Sequence, residues 1–442
     1  MKNYKDHAMV SMVTLLAVLC LSSCNAGQAN IGSSQMPLFA PAPGSPVSVA
    51  CAPGNVVIGD LNNDGKPDLV VACGEDRALT VLLGTGGGHF RASNPISTPV
   101  GPGDMVLGDV NGDGNLDLAS DSHDSYGVVL LLGDGKGGLA LAANSPIIMK
   151  EGQHPHTHGL AIGDVNGDTK LDLITVNNAD NDVSIAFGDG RGGFTRAPAT
   201  FAVGPSPYPL ALGDVNNDGR PDIIATATAT GPMRRQQLPL SFALTLLLND
   251  GHGGFRRSDL PLRTGQPWYA AIGDVNSDRK TDLVATHHEQ SELTVLLGDG
   301  AGHFTEAGSS PFDFGRSAFE VILADVNHDG RIDVLAAAGE GVRVMLGDGR
   351  GNFKPAPGSP FLTGRGVWQL AVADVNGDTK LDVVTTNLES KSVSILLGQW
   401  AVVRGPTREG GLLSVPLAVA GGLSRYRRVS TTALHKKSKN WR

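Results

Sequence analysis

The sequence is poor in aromatic residues and in cysteine. Phe, Trp and Tyr together make up 5% of the 442 residues, and the four cysteines form no zinc-type cluster. Glycine occurs 59 times and proline 26 times, a composition that favours a turn-rich all-β protein over a helical bundle. Hydrophobic residues make up 40% of the chain, so the chain is globular in composition and long enough to bury a sizeable core.

The signatures of common catalytic centres are also missing. The chain contains no G-x-S-x-G nucleophile elbow and no H-E-x-x-H metalloprotease motif. Histidines occur close together at His154, His156 and His158, with His123 and His287-His288-Glu289 elsewhere. We interpret them as exposed loop histidines, and a metal-binding or catalytic role is the alternative.

A nine-residue pattern, Asp-x-Asn-x-Asp-x-x-x-Asp, occurs seven times, first at residues 60–68. Side-chain oxygens at positions one, three, five and nine can converge on a hard cation, with a backbone carbonyl near position seven. Calcium takes six to eight such oxygens, so we predict up to seven bound Ca²⁺ ions. The loop is not an EF-hand, because position twelve holds Val71 and not a bidentate Glu. The alternative is hairpin-turn chemistry without metal.

The predicted calcium ligands of the seven copies are Asp60, Asn62, Asp64, Asp68; Asp109, Asn111, Asp113, Asp117; Asp164, Asn166, Asp168, Asp172; Asp214, Asn216, Asp218, Asp222; Asp274, Asn276, Asp278, Asp282; Asp325, Asn327, Asp329, Asp333; and Asp374, Asn376, Asp378, Asp382. These loops hold 21 of the 44 acidic residues. Bound calcium would offset the formal net charge of −9, so that charge does not indicate the sign of a partner.

Position six of the loop is glycine in four copies and Thr169, Arg279 or Thr379 in the other three. The turn there is sharp, and a residue with a side chain adopts it at a cost in free energy. We therefore expect weaker calcium binding in the third, fifth and seventh loops.

The loops begin 49 to 60 residues apart, and each is flanked by apolar runs of strand-like alternation. A repeat of this length built from short strands indicates a propeller, and seven units fall within the usual four to eight blades. The predicted fold class is all-β, a seven-bladed β-propeller of four-stranded antiparallel blades. In each blade the calcium loop joins the first two strands, A and B. An insertion near residues 228–240 of blade 4 is expected to be a surface loop.

The loops, each followed by a run such as Leu-Leu-Gly-Asp-Gly-x-Gly-x-Phe, resemble the FG-GAP/VCBS repeats of integrin-α-like β-propellers. The resemblance extends over residues 38–398. It implies adhesion or recognition, with a protein or glycan as the ligand. The alternative is a polysaccharide-active enzyme, since some related propellers are lyases or dehydratases that use a central pocket.

The two ends of the repeat region complement each other. The segment from Phe39 to Pro46 nearly repeats the segment from Phe353 to Pro360, which follows the Gly-rich turn of blade 6. The seventh unit ends at Gly398 without that turn or its phenylalanine. We predict that the N-terminal strand completes blade 7 and closes the ring.

A ligand face is predicted at the start of the A strands. The residue six places before each loop is aromatic or histidine in five units, namely His158, Tyr208, Trp268, Phe319 and Trp368. In related propellers strand A lies nearest the axis, so these rings should surround it on the face opposite the calcium loops. The next residue is often polar, as in Asn55, Asp104, Glu320 and Gln369. Such a surface suits a sugar or a protein loop, and the alternative is that the rings plug the channel.

The ends of the chain differ from the repeats. Residues 1–24 have a charged start, a short apolar run and Leu21-Ser22-Ser23-Cys24, which resembles a bacterial lipobox. We expect Cys24 to carry a lipid; a plain secretory signal or an uncleaved anchor is the alternative. Residues 25–37 are predicted to be a tether. Residues 399–442 hold nine Lys and Arg against Glu409 and are predicted to be a poorly ordered tail; a role at nucleic acid or at an anionic membrane is the alternative.

These features predict an exported monomer, anchored by its lipid to a membrane, at the outer membrane, the cell surface or in the periplasm, with no nucleic-acid partner. Cys51 precedes strand A of blade 1 and Cys73 ends strand B. The two ends meet in an antiparallel pair, so a disulfide is feasible in an oxidising compartment, and two isolated thiols are the alternative.

Overall fold

The computed structural model describes residues 37–227, 244–263, 267–287, 291–315, 318 and 320–399. The predicted signal and Cys24, nearly all of the tether, the insertion at 228–240, Phe319 and the tail beyond Gln399 lie outside these residues. Within them, no helix is long and apolar enough to cross a membrane.

The described residues form 34 short strands. In chain order these are β1 (Phe39–Pro41), β2 (Val47–Ser48), β3 (Val56–Gly59), β4 (Asp68–Cys73), β5 (Ala78–Gly86), β6 (His89–Ala92), β7 (Ile96–Ser97), β8 (Met105–Gly108), β9 (Asp117–Ser120), β10 (Gly127–Gly133), β11 (Leu139–Leu141), β12 (Ile147–Ile148), β13 (Thr157–Gly163), β14 (Asp172–Asn177), β15 (Asp182–Gly188), β16 (Phe194–Arg196), β17 (Phe201–Ala202), β18 (Pro207–Gly213), β19 (Asp222–Ala227), β20 (Leu244–Asn249), β21 (Phe255–Leu260), β22 (Pro267–Gly273), β23 (Asp282–His287), β24 (Glu292–Gly298), β25 (Phe304–Glu306), β26 (Phe312–Asp313), β27 (Val321–Ala324), β28 (Asp333–Ala338), β29 (Gly341–Gly347), β30 (Phe353–Pro355), β31 (Phe361–Leu362), β32 (Val367–Ala373), β33 (Asp382–Asn387) and β34 (Ser392–Gly398).

The strands form seven antiparallel sheets, which are the blades of a propeller. Blade 1 has the order β3-β4-β5-β6, named A to D, and the short β7 also pairs with strand C. Blades 2, 3, 5 and 6 repeat this order, so their outermost strand D is split in two. In blade 4 strand D is the continuous β21. The predicted fold class, a seven-bladed propeller of four-stranded antiparallel blades, is confirmed.

The hydrophobic core lies between adjacent blades. Val342 and Val344 of blade 6 cluster with Val383 of blade 7, whereas the next residue, Val384, clusters with Val71 of blade 1. Alternate residues of a strand point to opposite faces of its sheet. Each blade therefore buries one face against each neighbour, and no blade can bury both faces alone.

The last aspartate of each nine-residue loop is buried and ties the loop to its own blade. Asp68 accepts a hydrogen bond from Leu61 N at 2.9 Å and another from Gly84 N, at the end of strand C, at 2.7 Å. The same pair of bonds is made by Asp68, Asp117, Asp172, Asp222, Asp282, Asp333 and Asp382, which are at most 1% exposed. Buried amides left without partners are costly, so these carboxylates stabilise the blades.

The residue of strand C that donates this hydrogen bond is usually glycine, because another backbone segment packs directly against it. A Cβ atom added at Gly133 would lie 2.1 Å from the carbonyl oxygen of Leu116, which is far too close for two atoms that are not covalently bonded. In blade 4 the position holds Asn249, whose Nδ2 donates to Pro221 O at 3.0 Å. Close approach of two backbones thus explains the glycine of the repeated motif.

The N-terminal strand closes the ring, as the sequence predicted. Strands β1 and β2 pair with β34 and complete blade 7. Phe39 lies opposite Gly398, just as Phe353 lies opposite the last residue of its own strand C. Across the break in strand D, Ser45 Oγ accepts a hydrogen bond from Ile395 N at 2.9 Å. Blade 7 therefore has the same internal structure as the others, although its outer strand comes from the opposite end of the repeat region.

Cys51 and Cys73 lie beside strands A and B of blade 1. Their Cα atoms are 5.7 Å apart, and the structure joins them in a disulfide. Both residues are buried and pack in the cluster between blades 7 and 1. The disulfide therefore cross-links blade 1, which is the blade beside the closure of the ring.

Polar side chains at the start of the A strands link neighbouring blades around the axis. The bonds join Gln369 Oε1 with Val56 N (2.6 Å), Glu320 Oε2 with Leu370 N (3.0 Å), Asp104 Oδ2 with Gly159 N (2.8 Å) and Asp104 Oδ1 with Asn55 Nδ2 (2.6 Å). Asn55, Glu320 and Gln369 are buried and Asp104 is half-buried. These polar groups, which the sequence predicted to lie between the rings of a ligand face, also hold neighbouring blades together.

We predict that the N-terminal strand is required for stability. Phe39→Ala should lower the free energy of unfolding by about 3–5 kcal/mol, because Phe39 is 3% exposed and packs edge-on against Phe361. Deletion of residues 37–49 should cost more, since it leaves the edge of β34 unpaired. Denaturant unfolding measures both effects. Truncation after Gln399 is the control, and a truncation more damaging than the N-terminal deletion would contradict the closure.

The buried carboxyl of Glu320 should make stability depend on pH. Burial raises the pKa of Glu320 from its ordinary value of 4.5 to about 8, and the charge of Asp104 adds to the shift. Between these two values the folded state holds a proton that the unfolded state has lost. The stability that protonated Glu320 contributes is therefore complete below pH 4.5 and is lost as the pH rises through about 8.

Glu320→Gln, which stays neutral, tests this expectation. As the pH rises from about 5 to about 8, the variant should gain stability relative to the wild type by up to roughly 1.4 kcal/mol per pH unit. Denaturant unfolding of both proteins across this range gives the difference. A difference that does not change with pH would show that Glu320 is ionised in the folded protein at all these values.

Candidate ligand face and metal sites

The seven predicted calcium loops connect strand A to strand B and are exposed at one end of the ring. In the first loop Asp60 Oδ1 and Asn62 Oδ1 accept hydrogen bonds from Asp64 N at 3.2 and 2.9 Å, and Asp60 Oδ2 accepts one from Gly65 N at 2.8 Å. All seven loops repeat these three bonds. The side chains at positions one and three are thus held in the same orientation in every blade.

The loop carboxylates repel one another. Burial raises the pKa of the ninth-position aspartate to about 6 in Asp172 and Asp222 and to about 7 in Asp333 and Asp382. The charges of the first and fifth aspartates of the same loop add to each shift. A cation among these groups would relieve the repulsion, and a set of carboxylate and amide oxygens suits Ca²⁺. By this test the residues present fit calcium.

The fifth-position aspartate also has a competing partner in five loops. A Lys or Arg at position seven lies 3.1–3.9 Å from its carboxylate, as Lys66 does from Asp64. These ion pairs are largely exposed, and such pairs contribute little to stability. In the described residues, the carboxylates of positions one, five and nine are not all within 4.8 Å of one another. Calcium binding would require these carboxylates to move closer together.

The backbone of the loop is left-handed at position six in all copies. Thr169, Arg279 and Thr379 adopt φ angles of 70°, 67° and 70° there, and this conformation is unfavourable for residues with a side chain. In blade 5 the residue at position four, Ser277, also has a positive φ of 63°. The sharp turn expected from the sequence is confirmed. The weaker calcium binding of these loops stays a prediction.

A row of rings lies at the opposite end of the ring of blades. The ring centroids of His158 and Tyr208 are 4.0 Å apart, and those of Tyr208 and Trp268 are 4.7 Å apart. All three residues are half-buried and come from the A strands of blades 3, 4 and 5. Trp368 of blade 7 is 38% exposed, and Phe319 lies outside the described residues. The structure thus brings three of the five predicted ligand-face residues into one contiguous surface.

A small cavity of about 30 Å³ opens between these rings. Its lining includes Tyr208, Trp268, Tyr269 and Trp368, together with Asn55, Asp104 and Gln369, which also link the blades. A cavity of this size holds one or two water molecules. Sequence reasoning missed Tyr269, although it occupies the same position in blade 5 that Gln369 occupies in blade 7.

Three histidines converge beside the row of rings. His123 lies between β9 and β10 of blade 2, whereas His156 and His158 lie at the start of β13 in blade 3. One ligand nitrogen from each lies within 4.8 Å of the others. His154 is not in this group, and His287 is buried in β23 with its Nε2 2.7 Å from Thr294 Oγ1.

The surroundings of His156 and His158 disfavour the charged form of both side chains. Burial lowers the pKa of His158 to about 2 and also lowers that of His156, and repulsion from the neighbouring imidazoles adds to both shifts. Sequence proximity suggested His154 as the third member, but the structure supplies His123 from another blade. The order of strands in a propeller could have indicated His123, because it places the B–C loop of one blade beside the start of strand A in the next.

Solved structures with this fold come from several kinds of protein. BBS1N, solved in complex with ARL6DN, has a TM-score of 0.55 and 12% identity, and the match covers 82% of this chain and 98% of that one. A lectin from Agrocybe aegerita, solved to explain its recognition of non-reducing terminal N-acetylglucosamine, has a TM-score of 0.50 and 20% identity, covering 69% and 79%. A putative 6-phosphogluconolactonase from Bacteroides uniformis has a TM-score of 0.51 and 11% identity, covering 70% and 84%. At these identities the likeness shows the fold alone.

No curated protein matches the sequence. The family model of the FG-GAP-like repeat matches residues 60–120, 164–225, 274–336 and 325–385. These matches cover more than half of the chain, and each begins at the first aspartate of one of the nine-residue loops. The chain therefore belongs to the family of FG-GAP-like repeat proteins, and its seven repeated loops and closed ring of blades agree with this assignment.

Proposed function

We propose that this protein is an exported, calcium-binding recognition module that binds a glycan on the ligand face, at the start of the A strands. The observation that carries the proposal is the contiguous row of His158, Tyr208 and Trp268 beside the exposed Trp368. This row lies at the end of the propeller opposite the calcium loops. The proposed function therefore separates a stabilising face from a binding face.

The geometry of the row suits the apolar face of a sugar. An aromatic ring offers a large, flat surface to C–H groups, and neighbouring polar groups orient the hydroxyls. Tyr208 and Trp268 are half-buried and pack on one another, so little side-chain entropy is lost when a ligand stacks on them. Asp104, which is half-buried at the cavity, retains lone pairs that can accept hydroxyl protons.

The size of the central cavity argues for binding across its mouth. At about 30 Å³ the cavity has room for water but not for a sugar ring. A glycan would therefore lie over Trp268 and Trp368. An enzyme that uses a central pocket would need a larger one than this cavity.

The fold neighbours are compatible with recognition. The Agrocybe aegerita lectin recognises a sugar, and BBS1N was solved with a protein bound. The same architecture can thus present either kind of binding surface. We favour a glycan for this chain because the surface is built from stacked rings.

The disulfide supports the proposed export. Cys51 and Cys73 are joined in the structure, and disulfides persist in oxidising compartments and are rare in the cytosol. Export would place the loops in contact with extracellular or periplasmic calcium. The proposed lipid on Cys24 would then hold the propeller at a membrane.

Calcium should stabilise the folded protein. Two substitutions in blade 2 distinguish an aspartate that holds the blade together from an aspartate that only binds calcium. Asp117→Asn should lower the free energy of unfolding by about 2–3 kcal/mol with or without calcium, because one oxygen cannot accept from both Val110 N and Gly133 N. Asp113→Asn should leave the metal-free protein nearly unchanged. It should reduce the gain on adding calcium, which is about 2.7 kcal/mol per site at a hundredfold excess over Kd.

Thermal or denaturant unfolding in calcium and in chelator measures both effects. Blade 2 suits the test because its position seven is Asn115 and not Lys or Arg, so no ion pair to Asp113 complicates the result. Identical unfolding curves of the wild type in calcium and in chelator would refute calcium binding. They would leave the structural role of Asp117 untouched.

Removal of two rings should abolish ligand binding without unfolding the protein. A glycan array and a panel of matrix proteins identify the ligand of the wild type. The double variant Trp268→Ala and Trp368→Ala should then bind it at least tenfold more weakly, since both rings line the mouth of the cavity. Its calcium-dependent melting should remain close to that of the wild type.

Leu362→Ala is the matched control, because Leu362 is an apolar residue 70% exposed on the outer strand β31. It should bind as the wild type does. A double variant that loses stability without a separable loss of binding would show that the rings are core. Binding to matrix proteins alone would replace the glycan by a protein ligand.

A further inference from the structure

The three-histidine group combines residues from two blades in one place. The Nε2 atoms of His156 and His158 are 2.9 Å apart. The His123 ring lies 4.1 Å from that of His156 and 4.9 Å from that of His158, measured between centroids. Within the described part of the chain, this is the only set of three His, Cys, Asp or Glu side chains whose ligand atoms all lie within 4.8 Å of one another.

We propose that His123, His156 and His158 form a binding site for one divalent transition-metal ion, with Zn²⁺ as the preferred occupant. Imidazole nitrogen is a ligand for zinc and its neighbours in the first transition row, whereas calcium prefers oxygen. The site is therefore chemically distinct from the seven loops. It does not depend on the identity of the ligand that the rings bind.

The spacing of the nitrogens is close to what zinc requires. Zn–N bonds of 2.0–2.1 Å in a tetrahedron place two ligand nitrogens roughly 3.4 Å apart. The present separations are 2.9 Å for one pair and no more than 4.8 Å for the others. Small rotations of the side chains would bring all three nitrogens to one ion.

The closest two imidazoles already share a hydrogen bond that a metal ion could replace. Two nitrogens 2.9 Å apart share one proton, which one imidazole donates and the other accepts. An imidazole nitrogen binds a metal ion through its lone pair. A metal ion would replace the shared proton and join all three rings.

Neighbouring groups hold two of the ligands in place. His123 Nδ1 lies 2.9 Å from Asp124 Oδ1, a carboxylate–imidazole pair of the kind that orients metal-bound histidines. The His158 ring packs on Tyr208 with centroids 4.0 Å apart. Three protein ligands leave one position of a tetrahedral ion open for water or for an oxygen of a bound molecule.

Zinc titration of the tag-free full chain by calorimetry, in millimolar calcium to fill the loops, tests the site. The wild type should bind one Zn²⁺ ion with an affinity that calcium does not change. His123→Ala and His156→Ala should each weaken this binding at least tenfold. Replacing zinc with Co²⁺ should give the visible absorption of a tetrahedral cobalt centre, which the variants should lose.

The control is His154→Ala, because His154 is an exposed histidine of the same segment that lies outside the group. It should bind zinc as the wild type does. His123 is itself exposed, so its replacement should leave calcium-dependent melting unchanged and keep the test valid if His156→Ala is less stable. Zinc binding that survives both ligand substitutions, or that is lost only in His154→Ala, would overturn the assignment.

Discussion

The structure depends on one interaction repeated seven times, the bridge made by the buried ninth-position aspartate. Each carboxylate accepts one amide from its own loop and another from the end of strand C, as Asp382 does from Val375 and Gly398. The bridge fixes the loop to the blade. Because removal of the carboxylate would leave two buried amides unpaired, this aspartate is required by the fold as well as by any calcium site.

Closure of the ring places a second constraint on the sequence. The blade core is shared between neighbours, so an incomplete seventh blade would expose both its own edge and one side of blade 1. Phe39 and Ser45 solve this by reproducing contacts made inside the other blades. Near the axis, Gln369 and Asp104 add bonds from one blade to the next. Local repeats and links between blades thus act together.

Repetition explains how much the sequence could predict. The number of repeats predicted the number of blades, and the near-copy of the segment that begins at Phe353 predicted the closure through Phe39. Spacing alone could not show that both oxygens of Asp68 are engaged by backbone amides, since a ligand pattern counts oxygens without identifying their partners. Nor could it find His123, which reaches the histidine group from another blade. Burial and contacts between blades are tertiary properties, so Asn55 and Glu320 looked like surface groups.

The chain direction in an antiparallel blade explains why the two faces carry different chemistry. Every A–B turn lies at one end of the ring, so the repeated oxygen-rich loops gather there and form a surface suited to hard cations. The B–C loops and the starts of the A strands lie at the other end, where repetition is weaker and imidazole and indole groups occur. A soft or borderline metal and a stacked ligand are therefore favoured at the second end. The seven bridges repeat at the first end, whereas the residues at the second end differ from blade to blade.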